Sequence, residues 1–162
     1  MSTTNKHIKI STIYTKESNI EVPDAVALLQ EQPSEIQTEL ACQSSFTPVV
    51  FKEEESFEVD LSFQIECMYK NNHLYTLNFV QSGIFTLCDY EEKEQIEEAL
   101  AVDCPNIIFP YARLHAHQIS NQTGLAPVLI QEINFKELYY KEIGKHIFND
   151  KEIGKHIFND FS

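Results

Sequence analysis

The strongest constraint on the fold is an alternation of apolar and polar side chains from Phe57 to Tyr69, broken only at Met68. Every second residue of this thirteen-residue run is apolar, and the residues between them from Glu58 to Glu66 are polar, three of them acidic. Successive side chains of a β-strand point to opposite faces of a sheet. The run therefore predicts a half-buried strand with one wet, acidic face.

Three further segments have strand character. Residues 8–14 and 36–42 alternate in the same way, and residues 74–87 are apolar on both faces in their second half. A stretch containing Pro23 and Pro33 separates the first two segments. The first two-thirds of the chain is therefore predicted to form four β-strands.

Asn71 and Asn72 mark a hairpin between the third and fourth strands. A two-residue loop would place Ile65 opposite Asn78, which sets an apolar residue against a polar one. A three-residue loop over 71–73 joins apolar to apolar and is the register we predict. Its opposed pairs are Tyr69 with Tyr75, Cys67 with Leu77, and Ile65 with Phe79.

The last third of the chain has helical patterns. Asp89 and Glu92 have the spacing of a capping box, which predicts the start of a helix. The Cys104-Pro105 step is predicted to end that helix. A second helix is expected to start within 106–110 and to end near Asn121. After a non-helical crossing at 125–128, a capping box from Asn134 to Glu137 is expected to open a terminal helix.

The C-terminus carries a perfect tandem repeat, because residues 141–150 and 151–160 both read KEIGKHIFND. Ten residues advance a helix face by about 80° less than whole turns, so the second copy cannot extend an apolar stripe from the first. Gly154 weakens a helix further. We expect the second copy to form a loose, fraying and dispensable tail. The competing interpretation is that its apolar residues dock on a neighbouring subunit or in a groove.

Charge excludes several classes of partner. The chain has 12 Lys and Arg residues against 25 Asp and Glu, a formal net charge of −13, and only one arginine, Arg113. Nucleic acid and anionic membrane surfaces bind clustered cations, so both are poor partners. A basic protein or a basic unfolded chain would be attracted.

The sequence shows no pattern of catalysis or metal binding. The pair His115 and His117 cannot share one face of a helix, and no other ligand type stands at a suitable spacing. The four glycines do not form a phosphate-binding loop, and Ser44-Ser45 lacks the surroundings of a nucleophile. We expect no enzyme activity, no metal and no cofactor.

The sequence has no apolar run long enough to span a membrane. Its N-terminus has no apolar segment of the kind found in signal peptides. The four cysteines lack metal-binding spacing and lie in apolar surroundings. Their even number permits two disulfides, but the lack of a signal peptide favours buried, reduced thiols. These features predict a cytoplasmic location.

Eleven Phe and seven Tyr residues, with no Trp, are a rich aromatic supply. Several of them cluster in 109–111 and near Phe85. They could be core residues, or they could line an apolar groove for flexible peptide segments. Composition leaves both interpretations open.

Four segments, taken in order, resemble the SecB family of export chaperones. The resemblance covers about residues 7–143, and the ten-residue segment CPNIIFPYAR is its most specific part. The four segments are Ile13 to Lys16 followed by acids, Gln81 to Phe85, Cys104 to Arg113, and Leu125 to Val128 ahead of Asn134-Phe135.

The resemblance implies an α+β fold, a four-stranded antiparallel sheet followed by helices packed on one side, assembled as a dimer of dimers. It also implies an ATP-independent cytosolic holdase, a homotetramer that binds non-native precursor proteins and delivers them to the SecA motor ATPase. Residues 1–143 would form the chaperone domain, and residues 144–162 a C-terminal tail containing the repeat.

The resemblance also suggests site residues. Glu17 and Glu21 match the positions that dock the motor, whereas Asn78 stands where the family carries a third acid. Positions in the fourth strand would contribute to tetramer assembly, namely Leu77, Phe79 and Gln81. The client-binding groove is predicted to include Phe85, Phe109, Tyr111 and Leu125.

Two other functions remain open. The chain could be a SecB-like chaperone dedicated to a single client such as an antitoxin, since Asn78 and the altered tail depart from the family pattern. It could also be a small-ligand-binding α+β domain, which a closed monomer with one deep, dry pocket would favour.

Overall fold

A computed structural model describes residues 5–145 and 155–159, with side chains over 5–142. Five strands and four helices follow one another along these described residues. The strands are β1 (His7–Glu21), β2 (Gln37–Phe51), β3 (Glu54–Tyr69), β4 (Asn72–Cys88) and β5 (Lys155–Asn159). The helices are α1 (Ala25–Glu31), α2 (Lys93–Glu98), α3 (Cys104–Asn121) and α4 (Phe135–Lys145), and a π-helical turn (Ala99–Asp103) joins α2 to α3.

The strands form one antiparallel sheet in the order β1-β4-β3-β2-β5. All four strands predicted from the alternation are present, and the α+β architecture is confirmed. The fifth strand was not predicted, and neither was the short helix α1, which lies between the two prolines of the first connection.

The predicted hairpin register between β3 and β4 is wrong. The turn has two residues, Lys70 and Asn71, and both have positive φ (47° and 65°), as the tight primed hairpin turns require. A β-bulge after Cys67 then shifts the pairing by one residue. The bulge lets a two-residue turn coexist with apolar pairing, and the pairs are Phe63 with Phe79, Ile65 with Leu77, and Cys67 with Tyr75.

One face of the sheet is covered by helices and forms the core. The apolar residues of the alternating run in β3 from Val59 to Cys67 are at most 3% exposed. They pack with residues of β4 and with Ile108, Phe109 and Ala112 of α3. The prediction of a half-buried strand is therefore confirmed, with its apolar face beneath α3.

The helical third departs from the sequence expectations at its start. Asp89 has a positive φ of 64° and lies outside α2, whose N-cap is Glu92 without a side-chain hydrogen bond. The helical structure does not end at Cys104-Pro105 as predicted. It continues from the π turn directly into α3. The wider π turn before Pro105 relieves the clash of a proline ring with the preceding turn.

The end of the helical third follows the prediction more closely. Helix α3 ends at Asn121, and residues 125–128 are non-helical as expected. The Glu137 backbone N–H donates to Oδ1 of Asn134 over 3.0 Å, so this side chain caps α4 as predicted.

The two copies of the repeat differ in structure. The first copy begins inside α4, which ends at Lys145, and residues 146–154 lie outside the described residues. In the second copy, Lys155–Asn159 pairs as β5 with residues 41–45 of β2. The expectation of a loose, fraying tail is therefore wrong for these five residues. The phase of an α-helix prevents a continuous apolar stripe across the two copies, but it places no limit on strand formation.

Candidate functional site

The face of the sheet opposite the helices is polar and open. The register places Glu17, Asn19 and Glu21 of β1 on the same face as Gln64 of β3 and Asn78 of β4, and all five are exposed. A broad depression of about 560 Å³ lies across the strands here and includes Glu17, Asn19, Gln64 and Asn78 in its lining. This depression is open to solvent, whereas a small-ligand-binding domain would need a deep, enclosed pocket.

An acidic row crosses the sheet at one end of this depression. Glu21 is paired with Thr76, Thr76 with Glu66, and Glu66 with Glu39, so one row holds three glutamates on three strands. Within the described part of the chain, none of these glutamates takes part in a salt bridge. Neighbouring like charges are unfavourable in the free protein, and a cationic partner would relieve that repulsion.

An amide band lies next to the acidic row. Asn19 is paired with Asn78, and Asn78 with Gln64. Asn78, which replaces the family acid, therefore stands in the middle of three amides. The row beyond the amides contains Glu17, paired with Val80. The two predicted docking acids thus share one face but are separated by neutral hydrogen-bonding groups.

The cations near this face are already engaged. Lys16 Nζ contacts Glu58 Oε1 at 2.8 Å and Asp60 Oδ2 at 3.3 Å. The Lys16 ammonium first, and then the Tyr14 hydroxyl, hold the pKa of Glu58 below its usual value by hydrogen bonding to the carboxylate. Lys9 is similarly paired with Glu54. Because these lysines are paired elsewhere, Glu17 and Glu21 lack a compensating cation in the structure as described.

The three side chains predicted to contribute to the subunit interface are buried within the protomer. Leu77, Phe79 and Gln81 are at most 4% exposed and belong to the face that the helices cover. Phe79 packs between Phe63, at 4.9 Å between ring centroids, and His115 of α3, at 5.0 Å. All three side chains are therefore part of the protomer core, and their role in assembly stays a prediction.

The four groove residues also separate in the structure. Phe85, Phe109 and Leu125 are buried core residues, and only Tyr111 is exposed, at 51%. The described chain thus does not bring the four together in one open groove. Leu114, one turn from Tyr111 on α3, is 54% exposed and was missed by the sequence analysis. Its spacing of three residues from Tyr111 was the available signal.

Two features are absent from the described residues. No group of three or more His, Cys, Asp or Glu side chains there could hold a metal ion. None of the helices in the same part of the chain has the length and apolar character needed to cross a bilayer.

Comparison with known proteins places the chain in a family. The family described as Preprotein translocase subunit SecB matches residues 1–146. A protein-export protein SecB from Chromobacterium violaceum is 36% identical over 135 residues, covering 82% of this chain and 85% of that protein. A protein-export protein SecB from Rickettsia peacockii is 30% identical over 146 residues, covering 88% and 94%.

A solved structure shares the fold. It is a SecB-like chaperone from Mycobacterium tuberculosis in complex with a peptide from an antitoxin, with a TM-score of 0.62 at 15% identity, covering 78% of this chain and 90% of that one. This likeness concerns the fold alone. The family match and the sequence relatives decide the classification, and the chain belongs to the SecB family.

Proposed function

We propose that the protein is an ATP-independent chaperone that holds unfolded precursor proteins in the cytoplasm and keeps them competent for export. Its membership of the SecB family, whose curated relatives are protein-export proteins, is the observation that carries this proposal. Holding a non-native chain needs accessible apolar surface and no catalytic group. Tyr111 and Leu114 offer such a surface, since both are more than half exposed on α3.

Charge supports the same function. A protein with exposed apolar side chains tends to aggregate, and a net charge of −13 on each chain opposes that aggregation. The same charge attracts basic segments of unfolded clients over about 10 Å at 0.1 M salt. Apolar contacts would then hold the client after charge has drawn it in.

We further propose that the helix-free face docks the SecA motor. Glu17, Glu21 and the acidic row are exposed or half-exposed carboxylates that a basic, extended segment of the motor could cross. Asn78 removes one acid from the middle of that surface. Docking here would therefore depend on Glu17 and on the row that contains Glu21.

We propose that the working assembly is a homotetramer, a dimer of dimers. Leu77, Phe79 and Gln81 are buried within one subunit, so their contribution to assembly would act through the packing of β4, and exposed surfaces would make the direct contacts. The exposed apolar residues of α3 could serve assembly as well as client binding. Light scattering should give the mass of four subunits, and a monomer mass would overturn this part of the proposal.

A second candidate function is a chaperone dedicated to one client. Two observations favour it, namely Asn78 in place of the family acid and a fold neighbour that is described with an antitoxin peptide. A dedicated chaperone would protect one client at stoichiometric concentration and would not bind the motor. The general holdase would protect several unrelated clients and would bind it.

The test is suppression of aggregation of two unrelated unfolded clients, with and without ATP. Equal protection in both conditions is expected, and no protection of either client would overturn the holdase proposal. The double variant Tyr111→Asp, Leu114→Asp should lose most of the protection. Its matched control is Gln118→Asp, Asn121→Asp, which adds the same charge at exposed polar positions of the same helix. Light scattering on each variant separates lost client binding from lost assembly.

A further inference from the structure

A β-bulge in β1 places a lysine beside one of the proposed docking acids. The register of β1 against β4 shifts by one residue between Thr15 and Glu17, which leaves Lys16 as the extra residue. Successive side chains of a regular strand point to opposite faces, and the extra residue of a bulge interrupts that alternation. Lys16 contacts carboxylates of the open, helix-free face, the face on which Glu17 lies. The bulge therefore puts opposite charges next to each other on one face.

The ammonium group of Lys16 is held by two other carboxylates. Its Nζ lies 2.8 Å from Glu58 Oε1 and 3.3 Å from Asp60 Oδ2. The second oxygen of each carboxylate accepts a hydrogen bond from a hydroxyl. The Tyr14 hydroxyl donates to Glu58 Oε2, and the Ser82 hydroxyl donates to Asp60 Oδ1 over 2.5 Å. Both carboxylates are thus fixed on two sides, and we call Glu58 and Asp60 with these two hydroxyls the lysine clamp.

Burial and number favour the clamp over Glu17 as the partner of this ammonium group. The side chains of Glu58 and Asp60 are 22% and 19% exposed, whereas Glu17 is an exposed residue. Two carboxylates in weaker solvent screening attract the ammonium more strongly than one exposed carboxylate does. The hydrogen bond to Glu58 also raises the pKa of Lys16. Among the described residues, Glu17 takes part in no salt bridge although a lysine precedes it.

We propose that Glu58 and Asp60 are positioning residues of the docking face, which hold Lys16 away from Glu17 and keep that carboxylate available to a cationic partner segment. This inference rests on the proposed function for the identity of the partner, the SecA motor. The clamp acts by preventing neutralisation within the chain. A released Lys16 would pair with Glu17 and compete with the cation of the partner for the same carboxylate.

The test measures the cost of one substitution, Glu17→Gln, in three full-length backgrounds. The first background is the unchanged chain. The second carries Glu58→Gln with Asp60→Asn, which releases Lys16 and preserves the shape of both side chains. The third adds Lys16→Met to those two substitutions and so removes the competing ammonium group. Each cost is a ratio within one background, so a general change in net charge does not imitate the effect of the clamp.

A fourth background is the matched control. Glu53→Gln with Glu55→Gln also removes two carboxylates, at exposed positions around the turn between β2 and β3. These substitutions leave the clamp intact and do not release Lys16. Circular dichroism and urea unfolding show whether all four backgrounds fold, and variants of the clamp should retain suppression of client aggregation.

The probe is a fluorescein-labelled decapeptide of alternating Lys and Ser, followed by anisotropy at 0.1 M salt, where charges more than about 10 Å apart are largely screened. Glu17→Gln should weaken binding of the probe about threefold in the unchanged chain, in the matched control and in the background with Lys16→Met. In the background with a released Lys16, the same substitution should change the affinity by about 1.5-fold or less, because Glu17 is already neutralised.

An equal, measurable cost of Glu17→Gln in all four backgrounds would overturn the clamp and would leave Glu17 as a docking acid. No cost in any background would overturn both the clamp and the proposed docking face, because Glu17 would then not meet a cationic partner. A cost that is small in the second background and is not restored by Lys16→Met would also overturn the clamp, since the released lysine would not be its cause.

Discussion

The ring of Phe63 on β3 lies stacked on the ring of Phe79 on β4, with centroids 4.9 Å apart and an angle of 13° between the planes. The two residues are directly paired across the strands, and Phe109 of α3 covers Phe63 at 6.5 Å. This contact ties the central strands to the helix. It also places Phe79, which is predicted to contribute to assembly, in the protomer core.

Replacing Phe79 should therefore lower the stability of the subunit itself, whatever its effect on the assembly. Phe79→Ala is expected to lower the free energy of unfolding by ~3–5 kcal/mol, through lost burial and the cavity left behind. Urea unfolding followed by circular dichroism measures this effect. The control is Asn78→Ala, one residue away on the open face, which should change stability by less than about 0.5 kcal/mol. If Phe79→Ala made the assembly smaller but left the stability of the subunit unchanged, the assignment of Phe79 to the core would be contradicted.

Charge reversal should separate docking from client holding. Glu17→Lys with Glu21→Lys is expected to weaken SecA binding strongly, while suppression of client aggregation is retained. Both side chains are exposed and lie on the face opposite the helices. Titrations at low and high salt should show that the binding of the unchanged chain falls with salt, because exposed charges are screened.

The matched control for docking is Glu53→Lys with Glu55→Lys, which makes the same change in net charge at exposed positions around the turn between β2 and β3. Restoring the family acid by Asn78→Glu should strengthen motor binding. Unchanged affinity in the Glu17, Glu21 variant at low salt would show that this face does not dock the motor.

Stability should fall in mild acid partly through Glu58. The folded pKa of Glu58 is lowered by Lys16 and Tyr14, so its stabilising contribution is present above its unfolded pKa of about 4.3. The contribution is lost as the pH falls through the lowered folded pKa. Glu58→Gln should cost about 0.5–1 kcal/mol at pH 7 and should lose less stability than the unchanged chain on going to pH 3.

The stabilities of the Glu58→Gln variant and the unchanged chain are compared by their urea unfolding midpoints at pH 7 and pH 3. Glu55→Gln is the control, because Glu55 is exposed and forms no salt bridge among the described residues. Identical pH dependence in the Glu58 variant and the unchanged chain would refute the ion-pair account.

The thiols should differ in reactivity. Burial raises the pKa of Cys42 and Cys104, and raises that of Cys67 to about 11, so these thiolates are rare at pH 8. Cys88 is the only partly exposed cysteine of the four. A thiol reagent at pH 8 should therefore label Cys88 quickly and the others only after denaturation. Rapid labelling of more than one thiol in the native protein would contradict the buried positions.

Periodicity in the sequence predicted the sheet well, because alternation reports directly which face of a strand is buried. The run from Phe57 to Tyr69 defined β3 and its acidic face. The hairpin register failed because apolar pairing can be met by more than one combination of turn and bulge. Nothing in the sequence marked the bulge after Cys67 in advance.

The site was harder to predict than the fold. Family positions located Glu17 and Glu21 on one open face, but the acidic row depends on pairing across four strands and could be seen only with the register. Aromatic character could not separate core from surface, and it grouped Phe85 and Phe109 with Tyr111. The β5 strand was missed because the same ten residues occur twice, and only tertiary pairing distinguishes the copies.

The central claim is that this SecB family chain binds proteins in their unfolded state. Calorimetric titration of the protein with a slow-folding precursor, both freshly diluted from urea and fully folded, tests that claim most directly. We expect the protein to bind the unfolded precursor in the absence of nucleotide, and we expect no heat of binding with the folded precursor. Equal binding of both forms, or binding of neither, would contradict it.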